Sequence, residues 1–212
     1  MHDSSKLLTG LKFKQKLRYG ENPQQEATWC VYPDHGLSSA NQLQGKELSY
    51  NNLIDLDAAV STVKEFPDEP AAVVIKHTNP CGVAIGETID SALTRALDSD
   101  RVSCFGGIIA LNREVNTECA NELIGAFYEC IVAPSFSNEA KEILSAKKNL
   151  RLLELDIDNI QQKTSDEGAY FARWTTNFDF KKETNFWYVI NDTPMLIHDY
   201  SKNTRSKIRR GL

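Results

Sequence analysis

Apolar and polar residues alternate from Leu11 to Arg18, where Leu11, Phe13 and Leu17 are interleaved with Lys12, Lys14, Lys16 and Arg18. A period of two predicts a strand with one apolar and one basic face, the form of a solvated edge strand protected by lysines. Tyr19-Gly20-Glu21-Asn22-Pro23 follows as a turn, because Gly20 and Pro23 interrupt any regular element.

From Asn51 the period changes. Leu53, Leu56, Val60 and Val63 recur at three and four, which predicts an amphipathic helix with Asn51 or Asn52 as N-cap. Ala71 to Ile75 is apolar without alternation and predicts a central strand buried on both faces. Ile89, Ala92, Leu93, Ala96 and Leu97 form a second helical stripe, and Ile108 to Leu111 a short buried strand. A third helix is expected from Thr117, as its cap, to about Phe127, and a strand at Ile131–Ala133 closed by Pro134. Ser137 caps a helix to about Lys147, and Leu152, Leu153 and Leu155 close the series as a strand. Strands alternating with helices predict an α/β layered domain, a mostly parallel sheet flanked by helices. Past Asp156 helical periodicity is lost and nine of the aromatic residues gather, so the expected division is 1–155 and a divergent segment 156–212.

Composition narrows the class. With 212 residues, 25% charged and 41% in the apolar set, the chain is neither disordered nor fibrous. No apolar run approaches the roughly 18 residues of a spanning helix, so no membrane association is expected. Five cysteines without CxxC spacing suggest reduced thiols, and the first residues show no signal-peptide pattern, so a cytoplasmic protein is expected. The net charge of −5 argues against a nucleic-acid partner. The basic end, SKNTRSKIRRGL, reads as a solvated terminus.

The candidate chemistry gathers at Lys76-His77-Thr78-Asn79-Pro80-Cys81-Gly82, where a buried strand runs out into a polar turn. Ligands of open α/β sheets bind at the carboxyl ends of strands. Lys76 and His77 can share a pocket only if the strand stops at Lys76, and Asn79-Pro80 favours that stop. A histidine there can take a proton near neutral pH and a lysine can hold charge against an oxyanion or phosphate; a surface pair without a role fits the residues equally. The H-x-E…P-C-x-x-C signature of zinc deaminases is only half present, with Asn79 in place of the glutamate and Ala84 in place of the second thiolate, so no metal is expected. Gly106-Gly107 before a strand permits either a tight turn or close approach of a ligand to backbone. Glu129, just before Ile131-Val132-Ala133, stands at a strand entrance or at a solvated helix end.

Four stretches occur in order: LRYGENPQQ (17–25), VVIKHTNPCGVA (73–84), DRVSCFGGIIALNREV (100–115) and CIVAPSFSNEAKEILSAKKNLRLLEL (130–155). Over about residues 11–155 the chain resembles the aminoimidazole carboxamide ribotide (AICAR) transformylase part of the bifunctional AICAR transformylase/IMP cyclohydrolase family of purine biosynthesis. The resemblance implies a cytidine-deaminase-like fold without the deaminase zinc, and formyl transfer to AICAR with 10-formyltetrahydrofolate as cosubstrate. By match to its motifs, His77 is the expected proton acceptor and Lys76 the transition-state stabiliser. Arg18 and Tyr19 are expected to contact AICAR, Gly106 to bring its backbone to the nucleotide, and Glu129 to bind it as an acid. Gln24 stands where the first motif reads histidine. On this reading the cyclohydrolase domain and the second, folate-binding subdomain are missing. The expectation is then a homo-oligomer or a partner carrying the missing subdomain; the alternative is a non-catalytic AICAR-binding remnant.

Overall fold

The structure, a computed structural model, describes residues 12–31 and 36–157, with the backbone of 174–176, 188–190 and 193–196. In chain order come β1 (Lys12–Lys16), β2 (Gln25–Val31), β3 (Asn41–Gln44), α1 (Tyr50–Val63), β4 (Ala71–Lys76) and β5 (Asn79–Ile85). Then follow α2 (Ile89–Ser99), the short α3 (Arg101–Cys104), β6 (Ile108–Leu111), α4 (Thr117–Ile124), β7 (Cys130–Ala133), α5 (Asn138–Ser145) and β8 (Arg151–Glu154). The strands β9 (Trp174–Thr176), β10 (Tyr188–Ile190) and β11 (Thr193–Leu196) complete the series. The basic terminus, residues 201–212, lies outside the described residues. By internal contacts the chain divides into two compact units, Met1–Ser39 with Gln161–Leu212, and Ala40–Ile160.

In the first unit β2 pairs antiparallel with β1, β9 and β11. β1 is the edge strand the alternation predicts, but its faces are not cleanly apolar and basic. A register shift between Phe13 and Gln15 leaves Phe13 66% exposed and brings the Lys14 ammonium over the buried Trp29 ring, 4.8 Å from its centroid. Partial burial there pushes the Lys14 pKa down.

The second unit is a layered α/β domain around a six-stranded sheet in the order β3-β8-β7-β6-β4-β5. β6, β7 and β8 run parallel, while β4, β5 and β3 join antiparallel on either side. Ala72, Val74, Ile109, Leu111, Ile131 and Ala133 project from one face into a cluster with Ala92, Leu93, Leu97, Leu123 and Leu144 of α2, α4 and α5. The alternate residues Val73, Ile75, Ile108 and Ala110 are equally buried and belong to the face on which α1 packs. This two-sided burial is what the unalternating run at 71–75 requires.

Side chains set the helix starts. α1 begins earlier than expected: Ser49, not Asn51 or Asn52, is the N-cap. Its hydroxyl accepts the Asn52 N–H at 3.2 Å while Asn52 Oδ1 accepts the Ser49 N–H at 3.0 Å. α4 is capped by Asn116 rather than Thr117 and stops at Ile124, where Gly125 takes the C-cap. Ser137 caps α5 as expected.

Asn79-Pro80 does not end the strand pairing. Both residues belong to β5, which doubles back on β4 from a two-residue turn. Proline is tolerated there because β5 is the sheet's edge and Pro80 sits at a register shift, opposite Ile75. The hairpin is tight against α2: a Cβ added to Gly82 would lie 1.9 Å from the Ala96 carbonyl oxygen.

Candidate functional site

β4 ends at Lys76, as a shared pocket for Lys76 and His77 requires. The residues beyond it, His77 and Thr78, form the whole loop of the β4–β5 hairpin, with Lys76 paired to Asn79 across it. Both adopt left-handed backbone, φ 54° and 61°. Two consecutive positive φ values match a type I′ turn, which twists with the strands it joins and usually takes Asn-Gly.

The registers carry the site across the sheet. Ile75 pairs with Ile108, Ile108 with Cys130, and Cys130 with Arg151. The residues just outside this row are therefore neighbours: Lys76 and His77 after β4, Gly106 and Gly107 before β6, and Glu129 before β7. Four of the six candidate residues, taken from three separate stretches of chain, thus meet at one end of the sheet. This is the carboxyl end of β4, and because β4 runs antiparallel to β6 it is also the amino end of the parallel strands β6–β8, which is why Gly106 and Glu129 stand at strand entrances.

Each group is held. Lys76 Nζ donates to the Phe105 carbonyl at 2.7 Å, which ties the ammonium to the loop of Gly106. Gly106, with φ 74°, needs its glycine for conformation rather than space, since an added Cβ would meet only the Phe127 ring at 3.6 Å. Its N–H already donates to the Phe127 carbonyl at 2.7 Å, so that donor is not available to a ligand. The Glu129 N–H donates to the Gly107 carbonyl at 3.0 Å, and its carboxylate receives Arg151 Nη1 at 2.6 Å.

Two site residues escaped the sequence reading. Arg151 is buried, and besides Glu129 it donates to the carbonyls of Lys46 and Glu47, at 3.1 and 3.0 Å. A lone arginine between Leu150 and Leu152 in a buried strand was the signal available. Asp55, half-buried on α1, accepts the backbone N–H groups of His77 at 3.3 Å and Thr78 at 2.7 Å. Its pKa is raised by burial, against the opposing pull of those two N–H groups and the His77 charge. Cys81, beside this end of the sheet, has its thiol pushed up by burial, so its thiolate is disfavoured.

Arg18 and Tyr19 belong to the other unit. The Arg18 guanidinium stacks on the Tyr19 ring, 4.9 Å from its centroid, and lines a cleft of about 420 Å³ with Lys16, Gln24 and Glu26. Among the described residues no cluster of His, Cys, Asp and Glu side chains is suited to a metal ion, and no helix is long and apolar enough to cross a membrane.

The bifunctional purine biosynthesis protein PurH of Parasynechococcus marenigrum (strain WH8102) is 62% identical over 162 residues, which is 74% of this chain and 31% of that protein. PurH of Prochlorococcus marinus (strain NATL1A) is 60% identical over 164 residues, 73% of this chain and 32% of the relative. The chain thus spans about a third of the length of the curated relatives it matches. Among solved structures, Acinetobacter baumannii RibD covers 51% of this chain, and 37% of its own, at TM-score 0.42 and 15% identity. Residues 2–184, which contain every motif quoted above, match the family described as AICARFT/IMPCHase bienzyme, and the chain belongs to that family.

Proposed function

We propose that the chain serves purine biosynthesis by activating the amine of AICAR for formyl transfer from 10-formyltetrahydrofolate. The observation that supports this most is the row formed by His77, Lys76, Gly106 and Glu129 at one end of the sheet: a base, a cation, an open backbone and an acid within one site. The amine is a weak nucleophile because its lone pair is delocalised into the imidazole and carboxamide. As its nitrogen bonds to the formyl carbon it becomes acidic, and negative charge develops on the formyl oxygen. The His77 imidazole takes the amine proton, and the Lys76 ammonium steadies the oxyanion. When the bond from the formyl carbon to the folate N10 breaks, that proton goes to N10 and tetrahydrofolate leaves.

Glu129 suits a ribose hydroxyl, since Arg151 neutralises its charge and spares a nearby phosphate the repulsion. The assignment of Arg18 and Tyr19 to the nucleotide rests on their motif and on the cleft that Arg18 lines. None of the residues described is assigned to folate. A second copy, or a partner carrying the folate-binding residues, belongs to the same reading.

The test combines AICAR titration calorimetry with a 10-formyltetrahydrofolate transfer assay on the chain. His77→Ala is expected to lower turnover about a hundredfold or more while the heat of AICAR binding persists. Binding without turnover in the parent chain would favour a non-catalytic AICAR-binding role. Absence of both would end the proposal.

A further inference from the structure

We propose that Asp55 is a positioning residue that fixes the backbone from which the His77 imidazole projects, by holding both backbone N–H groups of the His77–Thr78 turn on its carboxylate. The inference rests on the reading of His77 as the proton acceptor, but the contact it invokes stands apart from that reading.

The turn is costly as built. A type I′ loop asks for left-handed backbone at both positions, and asparagine or glycine supply it most easily. Here the positions hold histidine at φ 54° and threonine at φ 61°. Threonine, branched at Cβ, is an outlier in that region. A strained pair at the mouth of a candidate site persists only where its surroundings over-determine it.

Asp55 supplies that constraint from α1, 22 residues before His77. Oδ2 accepts the His77 N–H at 3.3 Å and Oδ1 the Thr78 N–H at 2.7 Å, so one carboxylate spans the turn. The His77 carbonyl is held as well, by Thr78 Oγ1 at 2.7 Å and Asn79 Nδ2 at 2.8 Å. With both of its backbone polar groups fixed, His77 keeps only its side-chain torsions. Next to it, Lys76 is tied to Phe105, so base and cation are set on one rigid corner. Burial opposes ionisation of Asp55, a cost with no return unless the two acceptor oxygens are needed. Among the described residues, His77, Cys81 and Cys130 feel its charge.

The experiment uses the whole chain and begins without a variant. In a proton–nitrogen NMR titration, the amides of His77 and Thr78 are expected to move together through the acidic range, with a midpoint above 3.8. Amides that stay still would remove the contact and the proposal with it. In Asp55→Asn that titration should vanish, and relaxation of the His77 ring carbons should report a more mobile imidazole. Formyl transfer should then lose about tenfold in kcat, with AICAR KM within about twofold. Adding Thr78→Gly to Asp55→Asn should recover melting temperature but not kcat. Recovery of kcat by Thr78→Gly, or a ring as ordered in Asp55→Asn as in the parent, would make Asp55 a brace of the hairpin and overturn the positioning role. If the parent chain shows no transfer, the catalytic reading of His77 fails by itself, and ring order alone decides the role of Asp55.

Discussion

The Nη1 of Arg151 lies 2.6 Å from Oε2 of Glu129, and the two residues face each other at the entrances of adjacent parallel strands. The arginine is 2% exposed and the glutamate 35%, so the pair is a buried cation reaching outward to a carboxylate at the site's rim. The same guanidinium satisfies the carbonyls of Lys46 and Glu47.

Replacing Arg151 therefore strips several acceptors at once. Arg151→Met is expected to cost about 3 kcal/mol, at the low end for breaking a buried pair because Glu129 retains access to water. Urea unfolding measures it. Glu129→Gln should cost clearly less, since its amide oxygen still accepts from Arg151; an equal loss would contradict this account of the pair.

Gly82 on β5 has no room for a side chain. A Cβ there would lie 1.9 Å from the Ala96 oxygen and 2.8 Å from its carbonyl carbon, both backbone atoms that move only with α2. Gly82→Ala is expected to lower stability by about 3 kcal/mol, the upper end for overpacking. A loss below about 1 kcal/mol would mean that helix and hairpin are less closely apposed than described.

The elements from Ala71 to Glu154 were largely legible, because β4, β6 and β7 are buried on both faces and show as unbroken apolar runs between cap residues. Strand β5 was not. Its asparagine and proline carry a breaker's signal that only an edge position overrides. Lys76, His77, Gly106 and Glu129 were legible through their motifs, and their meeting follows from strand registers that composition does not reveal. Asp55 and Arg151 act on groups 22 residues away in the chain, so no local pattern marks them.

Asn112 is a further residue of this kind. Buried at the end of β6, it donates to the carbonyls of Phe66 and Glu69, at 2.6 and 2.8 Å, and accepts the Ala71 N–H at 2.8 Å. Asn112→Ala leaves those backbone groups without their partner and should cost about 3 kcal/mol. Hydrogen exchange at the Ala71 amide should quicken in the variant before the chain unfolds globally.

Asp100 gives stability a dependence on acid. It caps α3, its carboxylate accepting the Ser103 N–H at 2.9 Å and the Ser103 Oγ–H at 2.6 Å, and these bonds hold its pKa below the usual aspartate value. A folded value below the unfolded one means the contribution is fully present above the ordinary carboxylate range. It is lost as pH falls through the folded value. Asp100→Ala should thus melt below the parent at pH 7, and the gap in Tm should close by about pH 2. A gap independent of pH would assign the effect to something other than this carboxylate.

Strand β2 pairs through Trp29 and Thr28 with Met195 and Leu196, and through Gln25 to Ala27 with residues 174–176. On the ribosome β2 emerges early and those partners emerge late, whereas every strand of the Ala40–Ile160 unit finds its neighbours within that unit. The second unit is free to condense while β2, carrying Trp29, still waits with its pairing edge open. During that interval the nascent chain offers an unmatched strand to any other chain nearby, and the lysines of β1 beside it guard only one of its edges.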